Sequence, residues 1–141
     1  VPKKIANLLL PVPVSGTHVG FSTLRMEPCW MSLGQSAGRA ASIAVDKNID
    51  VRNVSIEEIQ NKLINEKATL IYFKDVKTDS PDFPLVQYMG IRGYLPDWNA
   101  NLNSQMDELT TSDWSAKSGI KINPGNKTRR EVLTNIYQLI K

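Results

Sequence analysis

The run from Pro28 to Val45 constrains this chain more than any other stretch. It reads as one helix: Pro28 suits a first-turn position, Glu27 sets negative charge beside the positive end of the dipole, and no later proline interrupts it. Its polar residues, Ser32, Gln35, Ser36, Arg39 and Ser42, recur every three or four positions and make one narrow stripe. Trp30, Met31, Leu33, Ala37, Ala40, Ala41, Ile43 and Ala44 cover the rest of the circumference. A helix apolar nearly all round belongs inside a larger body. A chain of 141 residues supplies few partners for it. Gly34, Ala37, Gly38 and Ala41 set small residues on one side, where a backbone or a flat ligand can approach closely.

The segment before this helix, Asn7-Leu-Leu-Leu-Pro-Val-Pro-Val14, reads as a short strand entered with no lead-in, and the chain opens on Val1. Together with the over-apolar helix, this predicts a fragment of something longer. The apolar stretch from Ile5 to Val14 holds two prolines and is too short to span a membrane. Charge narrows the partners: 17 basic and 14 acidic residues give a net +3, spread along the chain rather than gathered into a nucleic-acid surface. One cysteine, Cys29, excludes an internal disulfide and a cysteine-clustered zinc site. The alternation Asp97, Asn99, Asn101, Asn103 imitates a calcium loop but lacks the glycine and glutamate of that register, so no metal site is expected.

Short helices and marked turns fill the remainder. Ser55-Ile-Glu-Glu58 is a capping box opening a helix to about Asn65, with Ile56, Ile59, Leu63 and Ile64 as its buried face. Ala68 to Phe73 reads as an extended connector. A second helix is expected from Pro81 or Asp82 to Arg92 with Gly93 as its left-handed stop, and a third from Thr110-Thr-Ser-Asp113 to Gly119. Thr128-Arg-Arg-Glu131 opens the last, with Val132, Leu133, Ile136, Leu139 and Ile140 as its core stripe. The expected fold is mainly α: a short N-terminal β-strand, a long buried helix and several short helices, a piece of a larger α/β protein. The expected divisions are residues 1–47, 48–79 and 80–141. Asp107, Glu108 and Asp113 are close in sequence, and capping and solvation account for them better than paired acid–base work.

Two resemblances sharpen this reading. Phe83 to Trp98 and Trp114 to Asn126 are weakly self-similar, each with a glycine stop and a loop of Pro with Asp or Asn, and the second runs into Thr-Arg-Arg-Glu. This resembles S-layer homology modules over roughly Ser80 to Lys141, which implies a helical tail able to bind cell-envelope polymer or another protein. The N-terminal third carries Ser15, Thr17, His18, Arg25, Pro28, Gly34, Gln35, Ala37, Gly38, Ala40 and Ala41 in order. That series resembles the closing flavin-binding segment of a family of FAD-dependent oxidoreductases, some of them described as xanthan-lyase-like, and the likeness extends to about Leu70. It implies FAD as cofactor of the full-length protein, with an upstream FAD-binding domain of the same polypeptide as partner and a small-molecule substrate of unstated identity.

What the resemblance implies residue by residue is a catalytic pair, His18 polarising a carbonyl and Arg25 binding a carboxylate bidentately. Ser15, Gly16, Thr17, Met26, Glu27, Cys29 and Trp30 would be the cofactor-binding positions, the Cys29 thiol itself being read as a packed group. Independently of any family, a helix N-terminus such as that at Pro28 suits the electron-rich end of a flavin, and Ser15, Gly16, Thr17 and Gly20 permit close backbone approach. No Gly-x-Gly-x-x-Gly follows a strand, so the ADP half of the cofactor has no fingerprint in these residues. The piece alone is therefore expected to be inactive and not to retain FAD. Its exposed apolar helix face is expected to promote a homodimer, and the envelope-type helices lean toward the cell envelope or exterior. The competing reading is a stand-alone helical interaction module.

Overall fold

The computed structural model describes residues 4–141. The chain divides into a first compact unit ending at Leu63 and a second running from Ile64 to Lys141. Among the described residues there are six α-helices and one 3-10 turn: α1 (His18–Leu24), α2 (Glu27–Lys47), the turn Val51–Asn53, α3 (Ile56–Asn65), α4 (Phe83–Gly90), α5 (Glu108–Ser118) and α6 (Arg129–Ile140).

In the first unit the expected N-terminal strand is absent: residues 7–14 form turns and bends. Pro11 and Pro13 have no N–H to give a ladder, and the Val14 N–H closes on the Val12 carbonyl at 2.8 Å, a three-residue turn. Only an isolated bridge between Gln105 and Thr128 represents β pairing among the described residues. Asn7 instead anchors this segment. Its amide donates to Asp50 Oδ1 at 2.9 Å and its carbonyl oxygen accepts the Val51 N–H at 3.0 Å.

The long helix forms as expected, with Pro28 in the first turn and Asn48 in the left-handed conformation as its stop. It is not buried along its length. Ala40, Ile43 and Ala44 are covered, Ile43 and Ala44 with Val54, while Met31 is 71% exposed. Helix α3 starts on Ser55, whose hydroxyl accepts the Glu58 N–H at 3.4 Å. The Glu58 carboxylate accepts from Lys47 at 2.6 Å. Ile56 is 72% exposed, so the expected face is corrected: Ile59 is half-buried and Leu63 and Ile64 carry the burial.

The second unit builds its core from Ile64, Phe73, Val86, Met89, Tyr94, Leu95, Trp114, Leu133 and Ile136, with α4 against α6. Tyr88 and Tyr137 meet edge to face at 4.9 Å. The stretch 68–73 forms no strand, and a side chain takes the place of a strand partner. Buried Gln87 accepts the Leu70 and Ile71 N–H groups at 2.7 and 3.0 Å and donates to the Ile71 carbonyl at 2.8 Å. The connector lies so close to α4 that a Cβ on Gly90 would stand 2.9 Å from the Phe73 ring, which accounts for that glycine.

Helix α4 ends at Gly90 rather than Arg92, and Gly93 turns left-handed three residues on (φ +79°), its N–H on the Gly90 carbonyl at 2.9 Å. Helix α5 starts earlier than expected because Asp107 is the cap. It accepts the Thr110 N–H at 2.7 Å and the Thr110 hydroxyl at 2.8 Å, which places Thr110 inside the first turn. The α6 capping box is complete: Glu131 accepts the Thr128 N–H at 2.7 Å and Thr128 Oγ1 accepts the Glu131 N–H at 3.4 Å. Leu139, assigned to the α6 core stripe, is instead 69% exposed, because burial on α6 stops at the face shared by Val132, Leu133 and Ile136.

Candidate functional site

The residues singled out for flavin chemistry fall at the two ends of α1: Ser15, Gly16, Thr17 and His18 at its start, and Arg25, Met26, Glu27, Cys29 and Trp30 at the elbow where it meets α2. Thr17 caps α1, its hydroxyl oxygen accepting the Gly20 N–H at 3.1 Å, so Ser15 to Thr17 lead into a helix. Gly16 and Gly20 serve that turn: an added Cβ would stand 3.1 Å from Leu24 Cδ1 at Gly16 and 3.2 Å from Thr17 Oγ1 at Gly20. His18 opens α1 and Arg25 caps its end. Seven residues is close to two helical turns, which sets both on one face of α1 about 10 Å apart along its axis. Both are exposed.

The chain then reverses within two residues. Arg25 donates to the Phe21 carbonyl at 3.0 Å and Met26 to the Thr23 carbonyl at 3.1 Å, and Met26 caps α2 with extended backbone and no side-chain hydrogen bond. The first turn of α2 offers fewer donors than a helix start usually does. Pro28 has no N–H, and the Cys29 and Trp30 N–H groups both turn to the Met26 carbonyl, at 3.0 and 3.3 Å. Glu27 adds a negative charge there, which opposes an anion at this end. A donor of a different kind stands beside it: the Trp30 indole Nε1 is buried and has no hydrogen-bond partner. Cys29 is a half-buried free thiol. One turn further, Gly34 and Gly38 would each meet nothing within 4 Å if a Cβ were added, so the small-residue side of α2 is open.

Along α1 and the start of α2 stand a cation and an imidazole on one face of α1, hydroxyls at Ser15 and Thr17, an unpartnered indole N–H and an open small-residue surface. Such a set can hold a flat, polar-edged ring system against α2 and present it to a carbonyl or carboxylate substrate. FAD fits on the observation of the orphaned Trp30 N–H, because a buried donor without an acceptor costs free energy that a carbonyl or ring nitrogen would recover.

Comparison with known proteins bears on this unit. Residues 1–63 match the family described as FAD dependent oxidoreductase. The match ends at the residue where the first compact unit ends. It supports reading that unit as a segment of an FAD-dependent oxidoreductase, a family whose full-length proteins use FAD. No curated protein and no solved structure matches the chain. Among the described residues, no helix is long and apolar enough to cross a membrane.

Other polar features lie in the second unit and escaped sequence reasoning. Asp75 accepts the Ala100 and Asn101 N–H groups, each at 2.8 Å, which explains how Asn101 holds a left-handed backbone (φ +50°). Asp82 pairs with Arg130 at 2.9 Å. Neither pairing has a local sequence signal, since the partners are 25 or more residues apart.

Proposed function

We propose that residues 1–63 are the closing flavin-facing element of an FAD-dependent oxidoreductase, working with an FAD-binding domain of the same polypeptide. The observation that carries this reading is the buried, unpartnered Trp30 N–H on the first turn of α2, inside the matched segment. Ser15, Gly16, Thr17, Met26, Glu27, Cys29 and Trp30 line the cofactor side. FAD, when bound, supplies two-electron acceptance and return. Trp30 would donate a hydrogen bond to the cofactor, and the hydroxyls of Ser15 and Thr17 would help to hold it. Arg25 grips a substrate carboxylate with two parallel N–H groups and fixes its register. His18, one axial span away on the same face, holds a proton at the substrate carbonyl oxygen. The narrower likeness, to xanthan-lyase-like members, rests on the series Ser15 to Ala41 alone.

The test is made on the chain expressed with its native upstream coding sequence. Flavin absorbance should purify with the protein. His18→Ala should lower kcat about 10²-fold with flavin retained, a usual size for loss of a positioned proton donor, and Arg25→Ala should act mainly on KM. A parent protein without flavin, or unchanged kinetics in both variants, overturns the assignment.

The second unit supports a separate role as a small helical binding module. Its own closed core and its complete Thr128–Glu131 cap favour this, and the S-layer-homology-like series from Ser80 to Lys141 gives the envelope-polymer version of it.

A further inference from the structure

The second unit carries a pair of aromatic side chains that its core does not use. Tyr72 is 60% and Trp98 66% exposed, and their rings meet edge to face with centroids 6.1 Å apart. Large aromatic surface left in water is unfavourable unless something covers it. These two are also held in place. The Lys74 N–H donates to the Trp98 carbonyl at 2.8 Å, and the Asp75 carboxylate takes the Ala100 and Asn101 N–H groups just beyond. Lys74 Nζ stands 5.8 Å over the indole. The two chain segments bearing the rings are therefore tied together before any ligand arrives, which lowers the ordering cost of binding.

The rings border a shallow groove of about 240 Å³ whose other walls are Ile71, Leu95, Pro96 and Asp97. Its chemistry selects among ligands. A saccharide brings a hydroxyl on nearly every carbon, each needing a partner, and the side chains of these walls offer one carboxylate, one phenol and one indole N–H. A proline-rich segment in the polyproline II conformation brings no N–H at its prolines, keeps its carbonyls in water, and packs flat pyrrolidine rings on aromatic faces. Asp97 is the charged lining residue and complements a basic side chain flanking the prolines, while the Lys74 ammonium is engaged with the Trp98 ring.

We propose that the Tyr72–Trp98 groove binds a proline-rich peptide segment carrying an adjacent arginine or lysine. Trp98 and Tyr72 supply the stacking surface, Pro96 and Leu95 the floor, and Asp97 sets the direction by pairing the basic residue. This site is independent of the flavin assignment.

The experiment is a titration of the full 141-residue chain, followed by the side-chain indole resonances, with an acetylated peptide of repeated Pro-Leu-Pro bearing one terminal arginine. The Trp98 indole signal should shift saturably while that of buried Trp114 stays. Trp98→Ala and Tyr72→Ala should each weaken binding about tenfold, and Trp98→Phe less, as expected for aromatic anchors. Asp97→Asn should weaken the arginine peptide about threefold and leave its glutamine analogue unchanged, a split that mere structural damage would not give. Absence of a Trp98 shift, equal affinity in Trp98→Phe and Trp98→Ala with wild type, or a shift by cellulose or chitin oligosaccharides in place of the peptide each overturns the proposal.

Discussion

The two units differ in what their helices ask of their surroundings. The second unit encloses thirteen buried core residues and ties several interior polar groups from within, although Arg129 Nε is buried without a hydrogen-bond partner: Gln87 serves the connector, and the Trp114 indole N–H donates to the Tyr94 carbonyl at 2.8 Å. The first encloses Ile43, Ala44 and Val54 and leaves the Trp30 N–H without a partner. Neither lacks apolar residues; they are distributed differently. On α6 they fall on one face, which a single neighbour can cover. On α2 they run nearly all round, so that helix is built for neighbours on several sides. The family match falls on the unit with the open helix.

The largest effect is expected from emptying the closed core. Trp114→Ala should cost about 3–5 kcal/mol, the range for large-to-small changes at buried aromatics, and it also strands the Tyr94 carbonyl. Ile43→Ala should cost nearer 2 kcal/mol, because the small core around it can collapse onto the gap. Denaturant titration by circular dichroism compares them. Equal costs would break the contrast between the units.

Next comes the internal polar bond set. Gln87→Leu keeps the volume and removes the acceptor for two N–H groups and the donor to one carbonyl. The expected loss is about 2–3 kcal/mol, with faster hydrogen exchange at Leu70 and Ile71. Unchanged exchange there would show that the connector is held by packing alone.

A smaller effect concerns the caps and acid. Glu131 is held below the ordinary carboxylate range chiefly by the Thr128 N–H and then by the Thr128 hydroxyl. Asp107 is held low chiefly by the Thr110 N–H and then by its hydroxyl. Depressed values mean stability that is fully present above the unfolded carboxylate range and is lost as pH falls through it to the folded values. Thr128→Ala should cost about 1 kcal/mol at neutral pH, and Glu131→Gln should flatten the acid limb of the stability profile. A profile just as steep in Glu131→Gln would assign the acid sensitivity elsewhere.

What was legible in the sequence was local. The Thr128–Glu131 box, the left-handed Gly93 and Gly119, and the start and length of α2 follow from residues within a turn of one another. What was not legible depended on partners far along the chain: Gln87 replacing a strand, Asp75 capping the loop at Asn101, and the outward turn of Ile56 and Leu139. The strand at Asn7–Val14 failed for want of a ladder partner, and α1 was hidden because its seven residues show no helical stripe. For the candidate site, the order of residues from Ser15 to Ala41 pointed to α1 and the start of α2. The orphaned indole and the scarcity of free amides at Pro28 needed coordinates.

The smallest effect on stability should come from the open face itself, and it sharpens the comparison most. Met31 on α2 and Leu139 on α6 are almost equally exposed, at 71% and 69%. Exposed apolar-to-polar changes usually stay within about 0.5 kcal/mol, so Met31→Ser and Leu139→Ser should both fold normally. They should differ in association. Leu139 stands apart from the buried α6 face, whereas Met31 shares its side of α2 with Gly34 and Gly38, where nothing else in the chain approaches. Sedimentation over a concentration series should therefore show Met31→Ser shifting the chain toward monomer and Leu139→Ser leaving it unchanged. The same shift in both would place the sticky surface outside α2 and remove the main physical distinction between the units.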